Sequence, residues 1–269
     1  MQRIQQKGHK YLTELWKYRI PKLYFRFFCA VLLFYGQAWL LGIHYSTMEL
    51  ISALSSWGSI GNSNWYVTAI LLLYLLTYFV WSSFLDQRPY VGISATWIGT
   101  AICYLVLKFY RRNETYYYDT LFCYPAGMLY AIYLEDINSI VQANNRTWCA
   151  SLLLVVGSFS ISYVYAWHYD TAIYLFWRHL SHISFALSIT LLLMKVHWYN
   201  PFLVHLGGKN MFAHYILQRI VMRGLIWKNN NINSGLFVSL SVPAIVVIAW
   251  VFTTFLDYIE LLLKVLLSQ

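Results

Sequence analysis

Apolar runs recur from one end of this chain to the other, separated by short polar clusters. Eight can be marked: Leu23–Ile43, Trp65–Phe84, Tyr90–Lys108, Thr120–Leu134, Trp148–Ala166, Thr171–Met194, Phe212–Trp227 and Leu236–Leu263. Most approach the about 20 residues that an α-helix needs to cross a bilayer core of about 30 Å. They are continuously apolar, whereas a transmembrane β-strand alternates with period two. The expected fold class is therefore all-α, a polytopic integral membrane helical bundle of about eight spans. The fourth run is short and contains Pro125 and Gly127, so it reads as tilted, kinked or re-entrant. The polar stretches read as loops: one with His44, Glu49 and Asn62, then Asp86-Gln87-Arg88-Pro89, Arg111–Glu114, Glu135–Arg146, the turn His168-Tyr169-Asp170, and Asn229–Asn233. No internal repeat and no soluble insertion is visible. The expected organisation is a basic cytoplasmic segment, 1–22, followed by one membrane domain, 23–269.

Composition agrees with this pattern. The chain has 269 residues, of which 11% are charged and 59% hydrophobic, while a soluble domain carries about 25% charged residues. Too few charges remain to cover a water-facing surface. The net charge of +9 is concentrated at the start, in Arg3, Lys7, Lys10, Lys17, Arg19, Lys22 and Arg26, interleaved with Trp16, Tyr18 and Tyr24. Such a segment suits the cytoplasmic face of a membrane and places the N-terminus inside. Eight spans return the C-terminus to the same side. On that topology Arg111-Arg112 falls outside, and a re-entrant fourth segment would reverse everything after it. No nucleic-acid partner is expected, since no soluble module is left to bind one. The first apolar run lacks the small-x-small pattern of a cleaved signal. Cys29, Cys103, Cys123 and Cys149 have no paired spacing and read as small packing residues.

Polar residues inside apolar runs are costly and are usually kept for a reason. Arg19 and Lys22 flank Pro21 at the edge of the first span, either as anchors that snorkel to phospholipid or as a docking site for donor phosphates. Trp65 and Tyr66 open the second span as an aromatic belt would. Tyr74 follows on a similar face and either bonds a neighbouring helix or lines a polar cavity. Before and along the seventh run stand Lys209, Asn210, His214, Tyr215, Gln218 and Arg219. His214 and Gln218 lie four apart on one face, so this helix faces either a polar cavity or hydrogen-bonding neighbours. His179 and His182 stand three apart in the sixth run, as polar packing or as a base. No carboxylate or cysteine adjoins them in sequence, so no metal is expected.

Taken in order, Arg19-Ile20-Pro21-Lys22-Leu23-Tyr24, Asn62-Ser63-Asn64-Trp65-Tyr66-Val67 with Leu71–Leu76, and Gly208-Lys209-Asn210 with Tyr215-Ile216-Leu217-Gln218 resemble the bacterial membrane acyltransferase family 3. Phe122–Met128 resembles that family's mid-chain helix. The resemblance runs along most of the chain. It implies an enzyme of the bacterial cytoplasmic (inner) membrane that moves an acyl group, usually acetyl, from acyl-coenzyme A to a hydroxyl of a surface glycan or polysaccharide. Acyl-coenzyme A is then a co-substrate, and no bound cofactor is implied. On this resemblance Arg19 and Lys22 hold the donor, while Trp65, Tyr66, Tyr74, Lys209, Asn210, Tyr215 and Gln218 shape the cavity. Two departures stand out. The family's first two helices, with an Arg and a His taken as the base, have no counterpart here, which implies a truncated and inactive member. Gln218 stands where the family often has His, and an amide is no base near neutral pH. His179, His182 and His214 are the replacements available. A polysaccharide polymerase or ligase and a non-enzymatic transporter-like subunit are the competing readings.

Overall fold

A computed structural model describes residues 1–85, 88–110, 117–168, 173–195, 204, 208, 210–228 and 233–267. Among them every regular element is helical. The chain divides into two compact units, Met1–Ile20 with Ala69–Trp198, and Pro21–Thr68 with Tyr199–Gln269.

The elements in order are α1 (Gln2–Lys7), α2 (His9–Glu14), a π-helical turn (Leu15–Arg19), α3 (Ile20–Leu40), α4 (Thr47–Leu54), α5 (Asn64–Phe84) and α6 (Pro89–Leu105). A second π-helical turn (Val106–Tyr110) precedes α7 (Cys123–Ile132), α8 (Leu134–Ala143), α9 (Asn145–His168), α10 (Tyr174–Lys195), α11 (Asn210–Lys228) and α12 (Ser234–Leu267). Among the described residues, five stretches are long and apolar enough to cross a membrane: His9–Leu40, Asn64–Phe84, Pro89–Phe109, Asn145–Trp167 and Ser234–Leu262. The chain is thus a multi-pass helical protein, and many large apolar side chains on these helices, few of them on α5, face outward as a bilayer solvent allows.

Three of the eight runs fall outside that set. The fourth forms α7, ten residues long, which at 1.5 Å per residue covers about 15 Å, half a bilayer core. The sixth and seventh form α10 and α11, of 22 and 19 residues, both interrupted by polar side chains. Two loops also proved helical. Glu135–Arg146 contains α8, with Glu135 and Asp136 in its first turn and Val141 buried. Acids complement the positive end of a helix, and the few apolar residues at helical spacing supply a face to pack. The His44–Asn62 loop contains α4, started by a capping box in which Ser46 and Glu49 satisfy each other's backbone N–H.

In the first unit, the N-terminal helices bury Ile4 and Leu12 with Trp81, Ile93 and Met128. The α9–α10 hairpin is a continuous antiparallel seam. Trp148 donates to the Leu191 carbonyl at 2.9 Å, the Ser158 and Ser184 hydroxyls meet at 3.2 Å, and Tyr165 stacks on Trp177 at 4.9 Å. Ser162, Ser181, Ser184 and Ser188 are all buried there. Small hydroxyl residues let two helices approach closely in lipid, where no hydrophobic force drives them together. In the second unit, α11 packs along α12, and Gln37 of α3 donates to the Ile220 carbonyl of α11 at 2.7 Å.

Candidate functional site

The second unit brings together the two stretches that carry most of the cavity candidates. Tyr215 of α11 lies 4.3 Å from Tyr66 and 5.2 Å from Trp65 between ring centroids, and Trp65 and Tyr66 meet edge-on at 6.1 Å. The segment before α5 is built for this approach. Asn64 donates to the Gly58 carbonyl, Thr68 to the Ser56 carbonyl at 3.0 Å, and Ser59 to the Asn62 carbonyl at 2.7 Å. Arg223, two turns beyond Tyr215, donates to the Ile60 carbonyl at 2.8 Å, which Tyr45 also reaches at 3.0 Å. The guanidinium rests where a Cβ on Gly61 would stand, and Gly61 has φ +98°. Both facts call for glycine at that position.

Around the aromatic trio the second unit leaves buried hydrogen-bonding capacity unused. Asn62 is 1% exposed and Asn210 is 2% exposed, and among the described residues the Nδ2 of each has no partner; nor does the buried Nε2 of His214. Native interiors leave few such groups, and each calls for a reason. Asn210 and His214 lie one turn apart, with Ala213 and Leu217 buried beside them on the inward face of α11. Gln218 is half-buried at the edge of that face. Lys209, the remaining cavity candidate of this stretch, lies outside the described residues.

The donor candidates separate. Lys22 belongs to the second unit, where its ammonium pairs with Glu260 and lies 4.0 Å from Asp257. Arg26 completes a quartet with the same two carboxylates, its Nε 3.0 Å from Glu260. All four charges lie inside candidate spans, where paired charges are the affordable kind. Arg19 belongs to the first unit. It donates to the Tyr11 hydroxyl at 3.3 Å, with its guanidinium 4.9 Å from the Tyr11 ring centroid. Tyr74 stands on α5 in the same unit, where Tyr124 of α7 bonds Thr77.

His179 and His182 each engage one ring nitrogen. Each directs Nδ1 at the carbonyl oxygen of Asp119, at 3.0 and 3.1 Å. A carbonyl only accepts, so both rings carry their proton on Nδ1. The Asp119 carboxylate pairs with Arg178, which also bonds the Tyr174 hydroxyl. Phe122 and Tyr104 pack edge-on to His179 at 4.7 and 5.2 Å. Together these contacts satisfy an irregular turn before α7 that lipid could not. Sequence reading missed Asp119, Arg26, Asp257 and Glu260 as partners. One signal was present: Asp257 and Glu260 are the only acids after Asp170, three apart in an apolar run.

No family model, no curated protein and no solved structure matches this chain.

Proposed function

We propose that the chain is a membrane O-acyltransferase of the bacterial cytoplasmic membrane, taking an acyl group, in the first instance acetyl, from acyl-coenzyme A to a glycan hydroxyl. The observation that carries this reading is the meeting of Trp65 and Tyr66 with Tyr215 beside the unpartnered Asn210 and His214. Three motifs resemble the acyltransferase pattern in order, and the second and third meet through Trp65, Tyr66 and Tyr215. Aromatic rings beside amides suit a polyhydroxylated acceptor, which presents C–H faces and hydroxyls together. On the resemblance Arg19 and Lys22 would be donor-side cations, although Lys22 is already paired with Glu260 and Arg19 bonds the Tyr11 hydroxyl. The topology that goes with this reading is eight membrane-inserted segments with both ends inside, α7 entering only part of the bilayer.

The test is transfer of labelled acetyl from acetyl-coenzyme A in membranes that contain the chain, against membranes that lack it. Label in a base-labile ester on glycan supports the reading. Equal labelling in the two preparations, at matched protein content, refutes it. Reporter fusions after Lys108, Ala143 and Lys228 test the topology.

A further inference from the structure

In the first unit, α7 and α10 leave an open cleft between them. Ala126, Gly127 and Tyr130 line it from α7, and Ile183, Ala186 and Thr190 from α10, around about 340 Å³ of space counted to its mouth. Gly127 is the informative residue. It stands inside a helix, its φ is not positive, and a Cβ built on it would meet no atom within 4 Å. Neither the backbone conformation nor a neighbour pressed against it calls for glycine, and glycine inside a helix costs about 1 kcal/mol against alanine. The hydroxyls of the wall are already used: Tyr130 donates to the Met194 sulfur at 3.4 Å and Thr190 to the Ala186 carbonyl at 2.8 Å. A buried water needs about two to four polar partners, and a wall whose donors are spent is a poor host for one. Leu129 of α7 and Ile189 of α10, on the flanks, are exposed. The cleft also has a polar end. From Ile183 to Lys195 α10 rises about 18 Å, close to the about 15 Å of one leaflet's hydrocarbon. There Lys195 donates to the Asn145 side-chain oxygen at 2.9 Å, and Arg146, the next residue of α9, is exposed. Glu135 and Asp136 open α8 a few residues beyond Tyr130, so this end offers cations to a phosphate without being a trap for anions in general.

We propose that the α7–α10 cleft is a resident phospholipid site. One acyl chain lies along Gly127 and Ala186, and the headgroup phosphate meets Lys195 and Arg146. In a bilayer no hydrophobic force selects the chain, so packing in the cleft and the charge-assisted phosphate contact hold it together. The site needs neither an acyl donor nor a glycan, and it stands whether or not the acyl-transfer reading does.

The experiment uses the full chain in detergent micelles with a limiting amount of phosphatidylethanolamine that carries a diazirine midway along one acyl chain. After illumination, peptide mass spectrometry locates the label. Leu153 and Leu154 of α9, 72% and 73% exposed, give the baseline for unspecific lipid contact. Label on Cys123–Ile132 exceeds that baseline by about tenfold, the ratio that a preference of about 1.4 kcal/mol gives. Unlabelled phosphatidylethanolamine competes it away, whereas diacylglycerol and free palmitate do not. Gly127→Leu and Ala186→Leu each fill the cleft from one wall and bring the α7 label down to the baseline by steric exclusion. Gly127→Leu holds or raises the thermal midpoint, since it removes a helical glycine. If one filled variant fails to fold, the other decides. Lys195→Gln raises the lipid concentration needed for half-maximal label several-fold. Label no higher on α7 than on α9 overturns the proposal, as does α7 label that persists in the folded filled variants. Diacylglycerol or palmitate competing as well as phospholipid overturns it too. A disulfide between the Cys123 residues of two chains, formed when the other cysteines are serine and the cleft stays unlabelled, overturns it in favour of a second copy.

Discussion

The histidines of α10 and the histidine of α11 stand in opposite circumstances. His179 and His182 sit among polar groups that complete one another: two imidazoles on one carbonyl, a carboxylate on a guanidinium, a guanidinium on a tyrosine hydroxyl. On α11, Asn210 Nδ2 and His214 Nε2 are buried and meet no partner among the described residues. The comparison separates two uses of polarity inside an apolar protein. A satisfied cluster holds irregular backbone in place, and its atoms are spent. An unsatisfied pair keeps its hydrogen-bonding capacity for something else, at a cost in stability.

The comparison breaks most sharply at Arg178. Arg178→Leu strands the Asp119 carboxylate, 7% exposed, and is expected to cost about 3–5 kcal/mol. Thermal unfolding in detergent measures it, and the Asp119→Asn, Arg178→Leu double variant should recover much of the loss. A fall under about 1 kcal/mol would mean that this cluster is not a satisfied, stabilising one. At the α9–α10 seam Ser184→Leu overpacks a position 4% exposed, expected to cost about 1–3 kcal/mol by the same measurement. In the second unit, Tyr215→Ala removes ring pairs with Trp65 and Tyr66, worth about 0.5–1.5 kcal/mol each. A double-mutant cycle with Trp65→Ala reads the coupling, and zero coupling would dissolve the trio.

The smallest effect lies in α4, outside the candidate spans. The Ser46 backbone N–H, and then its hydroxyl, hold the Glu49 carboxyl below its ordinary value. A depressed carboxylate stabilises the folded state fully above its ordinary titration range, and that contribution disappears as pH falls through the lowered value. Hydrogen exchange of the first α4 amides should quicken at acid pH. Ser46→Ala should remove that dependence, and an unchanged pH profile would show that the box contributes nothing.

Much of the helix inventory was legible along the chain. The apolar run Trp65–Phe84 became α5 at Asn64–Phe84, and Leu236–Leu263 became most of α12 at Ser234–Leu267. Long continuous apolar stretches announce themselves because hydropathy is local. The helix α8 was not legible, since half of its residues are polar and only packing of Val141 reveals its face. In the candidate site, Asn210, His214, Tyr215 and Gln218 stood out as polar residues in an apolar run. The contact of Tyr215 with Trp65 and Tyr66 did not, because no spacing along the chain encodes it.

The sequence by itself determined the class, a helical protein dissolved in lipid, because burying about twenty apolar residues at a time needs no partner beyond the bilayer. It also named the polar residues that break those runs. Only the tertiary structure decided which of them were spent and which were spare. Lys22 read as a lipid anchor or a donor-phosphate cation and stands in a quartet with Arg26, Asp257 and Glu260. His179 and His182 read as polar packing or a base and bond the Asp119 carbonyl. Hydropathy belongs to one segment, but hydrogen-bond satisfaction belongs to pairs, and the partners here come from helices far apart in the chain.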